Sequence, residues 1–403
     1  MRTVAEHLAA CLEIARPAAP LDVVLLDAVG CVLAESVVAD LDLPAVDLAG
    51  LDGYAVMSAD LAAAAETTPV TLEVMDAVRA GDARLARLVP GAAVLIDSGA
   101  PMPRGADAVV PWMLTDRGRS RVRVRAAVGA GQNVRRQAGD VAAGTTVLPQ
   151  GLRVSARQVA LLAGIGRYRV KVVPAPRVVI VSIGDELVEP GQSRDAGDVF
   201  DANGHALASA VTDAGGRAFR VAAVPDELSA LAETIEDQLV RADVLITTGG
   251  LSVGQGDTVK DVLAPLGSVR FDAVAMVPGR QLGLGTVEDT PIFCLPGDPA
   301  SAQIAFEAFV RPVLRQLAGR QDLHRSSLPA AISAGWQSPA GRREFVPVLL
   351  TGSPSRGYAA APTSRPGTTS LLGLARANAL AVVPEATRTV VAGDALHCLL
   401  LDA

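Results

Sequence analysis

The stretch from Asp243 to Leu263 places a glycine-rich polar loop between two apolar segments: DVLITTGGLSVGQGDTVKDVL. Its β-branched start predicts a strand, Gly249-Gly250 ends that strand, and a helix is predicted to open at Asp257-Thr258. Glycines let the backbone approach a ligand, and the free N–H groups of a helix start favour an anion, most often a phosphate. The pattern indicates a phosphate-binding loop or, with similar weight, an ordinary strand-to-helix loop that needs glycines to turn.

Two further polar loops follow predicted strands in the same region. GDE at 184–186 follows RVVIVSI, and PGDP at 296–299 follows PIFCL. Because ligands bind beyond the carboxyl ends of parallel strands, we expect the three loops to converge on one pocket. Their acids suit a phosphate bridged by Mg²⁺, the candidates being Asp185, Glu186, Asp257 and Asp298. Asp257 and Asp298 also fit the simpler and compatible role of helix caps.

The elements around these loops alternate between strand and helix from Pro176 to about Gly319. This spacing predicts a mostly parallel sheet covered by helices on both faces. One helix is expected to be capped by Asp226. A long helix is expected from Pro299, with Asp298 as its N-cap and a kink at Pro312.

The rest of the sequence predicts three more domains. Residues 1–40 and 141–175 carry helix-like segments, 41–140 reads as an inserted β-rich module, and 321–403 reads as a C-terminal β domain. The alternation RVRVR at 121–125 favours the solvent face of a strand over a basic patch. We therefore predict a multidomain α/β protein of four domains, with the doubly wound sheet at 176–320.

Composition excludes several classes of protein. The 403 residues are half hydrophobic and one-fifth charged, which is globular, and a net charge of −7 with 3% aromatic residues argues against a nucleic-acid face. Charges interrupt every apolar run before membrane-spanning length, so no membrane insertion is expected. Four scattered cysteines and four scattered histidines support neither a disulfide framework nor a zinc site.

Two local features add to this reading. The first 17 residues space their apolar side chains on one helix face, which predicts an amphipathic helix. Glu6, His7 and Glu13 interrupt the apolar run that a secretion signal would need, so a cytoplasmic protein is expected. Lysine occurs only at Lys171 and Lys260, and Lys260 lies in the glycine-rich segment, a weak indication that a compact ammonium is useful there.

Five motifs in order along nearly the whole chain resemble the molybdopterin molybdenumtransferase family, the MoeA proteins related to the C-terminal domain of gephyrin. They are Asp47 with LDGYAV at 51–56, SGAPMPRGADAVV at 98–110, GDELVEPG at 184–191, GGLSVGQGDTVK at 249–260 and LPGDPASA at 295–302. The resemblance implies a helical domain, a β insertion, a central MogA-like α/β domain that binds the pterin, and a C-terminal β-barrel. It also implies a homodimer whose site takes loops from one or both subunits.

The reaction implied by this resemblance is insertion of molybdate into adenylylated molybdopterin, aided by Mg²⁺ and releasing AMP. Positions that match the family's acidic or polar functional residues are Asp47, Ser98, Asp140, Glu186, Asp226 and Asp257, with Glu186 and Asp257 as metal ligands. Positions that match the pterin-phosphate loops are Gly249, Gly250, Ser252, Gly254, Lys260, Arg280, Pro296, Gly297, Asp298 and Pro299.

The chain also departs from the family pattern at several of these loops. Where the family pattern has Asp-Asn-Ser, this chain has Asp47-Leu48-Ala49, and where it has a threonine, this chain has Ile183. The pattern Lys-Pro-Gly-Lys-Pro is replaced by VPGRQ at 277–281, and an asparagine is replaced by Asp298. A serine motif of the family is replaced by GTTSLLGL, which includes Gly373. Lys to Val277 and Asn to Asp298 each remove one positive unit. The alternative to an active enzyme is a weakened gephyrin-like dimeric scaffold for a protein or peptide; for the enzyme, the partners would be cofactor-pathway enzymes.

Overall fold

A computed structural model describes residues 1–82, 86–251 and 258–402 of the chain. The helices in these ranges are α1 (Val4–Glu13), α2 (Ala156–Gly164), α3 (Ala202–Ala214), α4 (Leu228–Leu239), α5 (Thr258–Leu266), α6 (Pro299–Ala305), α7 (Arg311–Leu317) and α8 (Leu371–Arg376). Short 3₁₀ turns cover Ser58–Leu61 and Trp112–Leu114, and a π-turn covers Phe306–Val310. None of the helices in the described ranges has the length and apolar character needed to cross a membrane.

The strands before the central domain are β1 (Leu21–Val24), β2 (Val32–Leu33), β3 (Val37–Val38), β4 (Leu48–Ala49), β5 (Gly53–Val56), β6 (Val70–Val78), β7 (Ala92–Ile96), β8 (Ala108–Pro111), β9 (Arg121–Val124), β10 (Val134–Arg135), β11 (Thr146–Leu148) and β12 (Arg169–Val173). Those of the central region are β13 (Arg177–Ser182), β14 (Leu187–Val188), β15 (Val199–Phe200), β16 (Arg217–Arg220), β17 (Val244–Thr248), β18 (Arg270–Ala273), β19 (Met276–Val277), β20 (Gln281–Val287) and β21 (Thr290–Leu295). The C-terminal strands are β22 (Ser327–Ile332), β23 (Trp336–Gln337), β24 (Arg343–Ser353), β25 (Gly357–Pro362), β26 (Ala379–Val383), β27 (Thr389–Val390) and β28 (Ala395–Leu400).

The described residues divide into two compact units. One comprises 1–21, 30–34 and 171–402, and the other comprises 22–29 and 35–170. The segments predicted as a helical domain each contain one helix, α1 and α2, together with short strands. Helix α1 packs within the first unit, where His7 meets the ring of Phe309 edge-on. The boundaries of the four domains remain a prediction.

The central sheet of the first unit has six strands in the order β16-β13-β17-β21-β20-β18. The first four are parallel, and β20 and β18 run antiparallel to their neighbours. The predicted doubly wound, mostly parallel sheet is therefore confirmed. Within this sheet, the strand that follows β13 in the chain lies on one side of it, and the strands that follow β17 lie on the other side. The strand order therefore reverses between β13 and β17, and their carboxyl ends form a topological switch point.

Alternation along the strands explains why both faces of this sheet are buried. Val178 and Ile180 point to one apolar core, shared with α1, α3, α6 and α7, whereas Val179 and Val181 point to a second core under α4 and α5. Successive side chains of a strand face opposite sides, so a strand covered on both faces must be apolar at every position. This requirement produces the continuous run RVVIVSI.

Two helix starts refine the sequence expectations. Asp226 was expected to cap α4, but this prediction was wrong: the N-cap position is Glu227, whose side chain makes no capping bond. Helix α6 does begin at Pro299 with Asp298 as its N-cap. A π-turn at Phe306–Val310 directly precedes α7, and Pro312 lies in the first turn of that helix. The kink predicted at Pro312 stays a prediction.

The C-terminal strands close on themselves. The order is β24-β25-β22-β28-β26, and β26 pairs again with β24. A closed barrel leaves no unpaired edge among these five strands. The predicted C-terminal β-barrel is confirmed, with a core that includes Val346, Val348, Ala360, Ala381 and Cys398.

The second unit contains a five-stranded sheet in the order β8-β5-β7-β6-β9. Its last strand carries the RVRVR alternation: Val122 and Val124 are fully buried, while Arg121 and Arg123 are exposed. The arginines therefore lie on the solvent face of a strand, as predicted.

The burial of His7 predicts a pH-dependent stability. Burial, aided by Arg2, lowers the pKa of His7 to about 4, whereas an unfolded histidine titrates near 6.5. Between these values the unfolded chain binds a proton that the folded chain does not. The free energy of unfolding is therefore unaffected by His7 above pH 6.5, and it falls by roughly 3 kcal/mol in total as the pH decreases towards 4. Denaturant unfolding of His7→Gln should show a weaker pH dependence over this range. His324→Gln, at an exposed position, is the control, and identical profiles for His7→Gln and the parent would contradict the prediction.

Candidate functional site

The carboxyl ends of β13, β17 and β21 bring three loops together at one edge of the sheet. Thr248 pairs with Ser182 on one side and Leu295 on the other. Its hydroxyl donates a hydrogen bond of 2.9 Å to the Pro296 carbonyl. A Cβ placed on Gly297 would lie 3.5 Å from the Cα of Gly249. The predicted convergence of the three loops is therefore present in their described residues.

Gly249 and Gly250 are required by the protein's own packing. Gly249 has φ +89°, and a Cβ there would lie 2.2 Å from the Ile183 carbonyl oxygen. Gly250 has φ +64°, and its Cβ would lie 2.5 Å from a methyl of Val259. Both conformations disfavour other L-residues. The glycines thus allow the loop after β17 to lie directly against the loop after β13.

The acidic residues of the first loop differ in their surroundings. One oxygen of Asp185 accepts a hydrogen bond of 3.0 Å from the Asp226 backbone N–H, which fixes the segment before α4. The Glu186 side chain is exposed and folds over Gly184, where a Cβ would lie 2.6 Å from a carboxylate oxygen. Glu186 is bound through its backbone carbonyl, which accepts from Val199 N–H at 2.7 Å. Its carboxylate makes no hydrogen bond to the residues that the structure describes and is directed to solvent.

Asp298 performs the capping role that was the simpler expectation. Its Oδ2 accepts hydrogen bonds from the backbone N–H of Ser301 at 2.8 Å and from the Ser301 hydroxyl at 2.5 Å. Pro299 occupies the first turn of α6. The extra negative charge at Asp298 is therefore placed against two donors and the positive end of a short helix, which reduces its effect on a bound anion.

The loop before β20 packs against the Pro296 loop. Gly279 has φ +82°, and its Cβ would lie 3.3 Å from the Ser301 carbonyl and 3.5 Å from Pro296. This contact leaves Arg280 exposed beside the converging loops. Lys260 is exposed in the first turn of α5, directly after the glycine-rich segment. Two cationic side chains thus accompany the site in the first unit.

Two buried polar residues at this edge were missed from the sequence. Asp201 is 1% exposed and caps α3, accepting from Ser182 Oγ at 2.9 Å and Gly204 N–H at 2.8 Å. Asn203 is 8% exposed and donates from Nδ2 to Thr248 Oγ1 at 2.9 Å and to the Gly297 carbonyl at 2.7 Å. Polar residues at a helix start resemble ordinary caps in sequence, so only the fold reveals that they reach the loops.

The other expected acidic position, Asp47, lies in the second unit. Its carboxylate accepts from the Gln137 backbone N–H at 2.7 Å and from Arg136 Nη1 at 2.8 Å. The Gln137 hydrogen bond, followed by the charge of Arg136, holds the pKa of Asp47 below its ordinary value, although partial burial opposes this. Asp47 is therefore an oriented, ionised carboxylate at neutral pH.

The loops around Asp47 also contain Ser98 and Asp140. Ser98 N–H donates to Asp52 at 2.7 Å, and its hydroxyl donates to the Gly50 carbonyl at 3.3 Å. Asp140 is exposed, and its backbone N–H donates to the Leu43 carbonyl at 3.0 Å. The second unit thus gathers Asp47, Ser98 and Asp140 through contacts among the segments at 42–52, 97–101 and 133–140.

Three predicted site residues, Ser252, Gly254 and Asp257, lie outside the described residues. Among the residues that are described, no group of three histidine, cysteine or acidic side chains is arranged to hold a metal ion. The predicted metal pair of Glu186 and Asp257 stays a prediction.

The fold and the two groups of loops correspond to a known class. Family models match nearly the whole chain: the MoeA N-terminal region (domain I and II) over residues 2–166, a probable molybdopterin binding domain over 179–316, and the MoeA C-terminal region (domain IV) over 329–401. The chain belongs to the MoeA family.

Individual relatives extend over the full length. The chain is 38% identical to molybdopterin molybdenumtransferase 2 of Mycobacterium tuberculosis, covering 98% of this chain and 99% of the relative. It is 32% identical to molybdopterin molybdenumtransferase of Bacillus subtilis, covering 94% and 89%. The crystal structure of a molybdopterin biosynthesis MoeA protein from Pyrococcus horikoshii superposes with a TM-score of 0.83 at 28% identity, covering 100% of this chain and 99% of that one.

Proposed function

We propose that this protein is a molybdopterin molybdenumtransferase that inserts molybdate into adenylylated molybdopterin and releases AMP. The observation that carries the proposal is the convergence of the loops after β13, β17 and β21 in a chain related over its full length to proteins of that name. Its place in biology is the synthesis of the molybdenum cofactor.

The described residues can position the substrate without a covalent intermediate. The loops at Gly249 and Gly297 provide close-packed backbone at a switch point of the sheet, the place where such sheets bind ligands. Lys260 and Arg280 provide positive charge for phosphate groups, and exposed Glu186 can orient a water or a cation beside them. The contribution of the protein is orientation and charge compensation as the phosphoanhydride bond breaks.

A single exposed carboxylate, that of Glu186, suits a magnesium ion that keeps most of its water. Mg²⁺ commonly binds through one or two carboxylates together with substrate phosphates, and the Glu186 carboxylate is exposed and directed to solvent. Glu186, with Asp257 as second candidate, would hold the ion. When bound, it would neutralise charge on the phosphoanhydride.

Asp47, Ser98 and Asp140 are proposed to complete the site in a homodimer. If Asp47 and Glu186 act in one site built from two subunits, a mixed dimer of Asp47→Ala and Glu186→Ala protomers contains one intact site. Random mixing of the two inactive variants should then restore about one quarter of the parent activity. Activity is measured after co-refolding or co-expression, with light scattering to establish the dimer. Failure to recover activity in a verified mixed dimer would contradict a shared site.

The function itself is tested by genetic complementation. A bacterial strain that lacks its own molybdopterin molybdenumtransferase should regain molybdoenzyme activity when this chain is expressed. Expression of Glu186→Ala at the same level should not restore it. Equal failure of the parent and the variant, with both proteins folded, would contradict the proposal.

A further inference from the structure

Asn203 joins three elements at the edge of the sheet. It is the second residue of α3, and its side-chain Nδ2 donates to Thr248 Oγ1 at the end of β17 and to the Gly297 carbonyl after β21. Thr248 in turn donates its hydroxyl hydrogen to the Pro296 carbonyl. We call the pair of bonds from Asn203 the amide bridge. It links the two loops proposed to hold the pterin phosphate.

Only a side chain with two donors at this point can make the amide bridge. Gly297 offers a carbonyl, and Thr248 Oγ1 has already donated its hydrogen, so both partners act as acceptors towards residue 203. An amide NH₂ supplies two N–H donors, whereas a carboxylate of the same shape supplies none. Asparagine is therefore distinguished chemically from aspartate here, although the two have nearly the same volume.

The base of the amide bridge is fixed to the sheet. Asp201, two residues earlier, accepts from Ser182 Oγ at 2.9 Å and from Gly204 N–H at 2.8 Å. Ser182 and Asp201 are 0% and 1% exposed. The start of α3 is thus held against β13, and Asn203 extends from a rigid point to the neighbouring loops.

The side-chain oxygen of Asn203 adds no hydrogen bond to the fold within the described residues. Its Oδ1 is buried and has no hydrogen-bond partner among the described residues. A buried acceptor without a partner destabilises the folded state, and such groups in native proteins commonly coincide with function. The residue is present despite this cost, which favours a role for its two donor bonds.

We propose that Asn203 is a positioning residue for the pterin phosphate: its amide bridge sets the separation of the Gly249 and Gly297 loops. The effect on substrate rests on the proposed function, but the effect on the loops does not. Asn203 acts through the backbone of these loops.

The test compares two substitutions that break the amide bridge differently. Asn203→Asp removes both donors at nearly constant volume. Thr248→Val removes one acceptor without a change of charge, and Thr248→Ser restores the hydroxyl. Each bridge-breaking variant should weaken binding of adenylylated molybdopterin by about tenfold or more and speed amide hydrogen exchange in residues 296–302. Thr248→Ser should retain the parent's pterin binding and hydrogen exchange. The double variant of Asn203→Asp and Thr248→Val should lose less binding free energy than the sum of the two single variants.

Asn378→Asp is the matched control in the barrel. Asn378 also bonds through both side-chain atoms, accepting from Leu350 N–H at 2.7 Å and donating to the Leu350 carbonyl at 3.0 Å. Asn378→Asp should lower the free energy of unfolding without changing pterin binding or hydrogen exchange in residues 296–302.

The outcomes separate the two proposals. If the parent protein does not bind the pterin compound, the proposed function and the substrate role of Asn203 both fail, while the exchange data still decide whether the amide bridge holds the loops. Unchanged exchange in both bridge-breaking variants would overturn the positioning role, even with pterin binding intact in the parent. Faster exchange with unchanged binding would overturn it as well, because loop separation would then not affect the substrate.

Discussion

Replacing Glu186 by glutamine should lower turnover by on the order of 100-fold while leaving the fold intact. The Glu186 carboxylate is exposed, and its hydrogen-bonded group is the backbone carbonyl, which the substitution preserves. Glutamine keeps the shape and removes the negative charge that would hold a cation or orient a water at the phosphates. The loss should appear in turnover more than in the binding of the pterin.

Glu236→Gln is the control for this substitution. Glu236 is an exposed carboxylate on α4, a helix whose apolar side chains belong to the second apolar core of the central sheet, with Val179 and Val181. Steady-state AMP release and thermal unfolding should be measured for both variants. Full activity in Glu186→Gln would remove this residue from the site, and an unfolding midpoint several degrees lower would assign its effect to structure.

Replacing Gly249 by alanine should disrupt the site and the fold together. A Cβ at this position would lie 2.2 Å from the Ile183 carbonyl oxygen, so backbone must move, and φ +89° is itself unfavourable for alanine. We expect destabilisation of roughly 3 kcal/mol or more, with pterin binding reduced beyond detection in the folded fraction. Denaturant unfolding and a binding titration measure the two effects.

Gly191→Ala separates backbone conformation from steric contact. Gly191 has nearly the same φ, +93°, but a Cβ there would have no heavy atom within 4 Å. This variant should lose only about 1–2 kcal/mol and bind the pterin normally. Equal losses for Gly191→Ala and Gly249→Ala would show that the contact with Ile183 is not the cause.

The sequence predicted the elements of the central domain because their burial is periodic. Val178–Val181 must be apolar on both faces, and the loops after such strands must meet at one edge, so the convergence near Thr248 could be inferred without coordinates. The cap at Asp298 was predictable for a similar reason, since it depends only on local spacing to Ser301.

The amide bridge could not be predicted in this way. Asn203 contacts Thr248 and Gly297, which lie 45 and 94 residues further along the chain. Contacts over such separations depend on strand order, which periodicity does not specify. The same limit applies to Asp47 and Gln137 in the second unit, and to Gly249, whose need for glycine arises from the distant Ile183 carbonyl.

The departures from the family pattern affect the charge of the site unequally. Asp298 is bound to Ser301, so its negative charge is partly compensated. Val277 pairs in the ladder with Glu344, which is 1% exposed and accepts from Trp336 Nε1 at 2.9 Å. The resemblance implies a lysine at position 277, so Val277 removes a positive charge beside a buried carboxylate. We expect this departure to weaken oxyanion binding most. A scaffold without turnover would follow if this loss were decisive.

The most direct test of the central claim is an assay of the purified protein with adenylylated molybdopterin, molybdate and Mg²⁺. We expect AMP release that depends on molybdate, accompanied by a product that activates an apo-molybdoenzyme. The Glu186→Gln variant should give on the order of 100-fold less of both. Pterin binding without molybdate-dependent AMP release would contradict the transferase activity and would favour the scaffold.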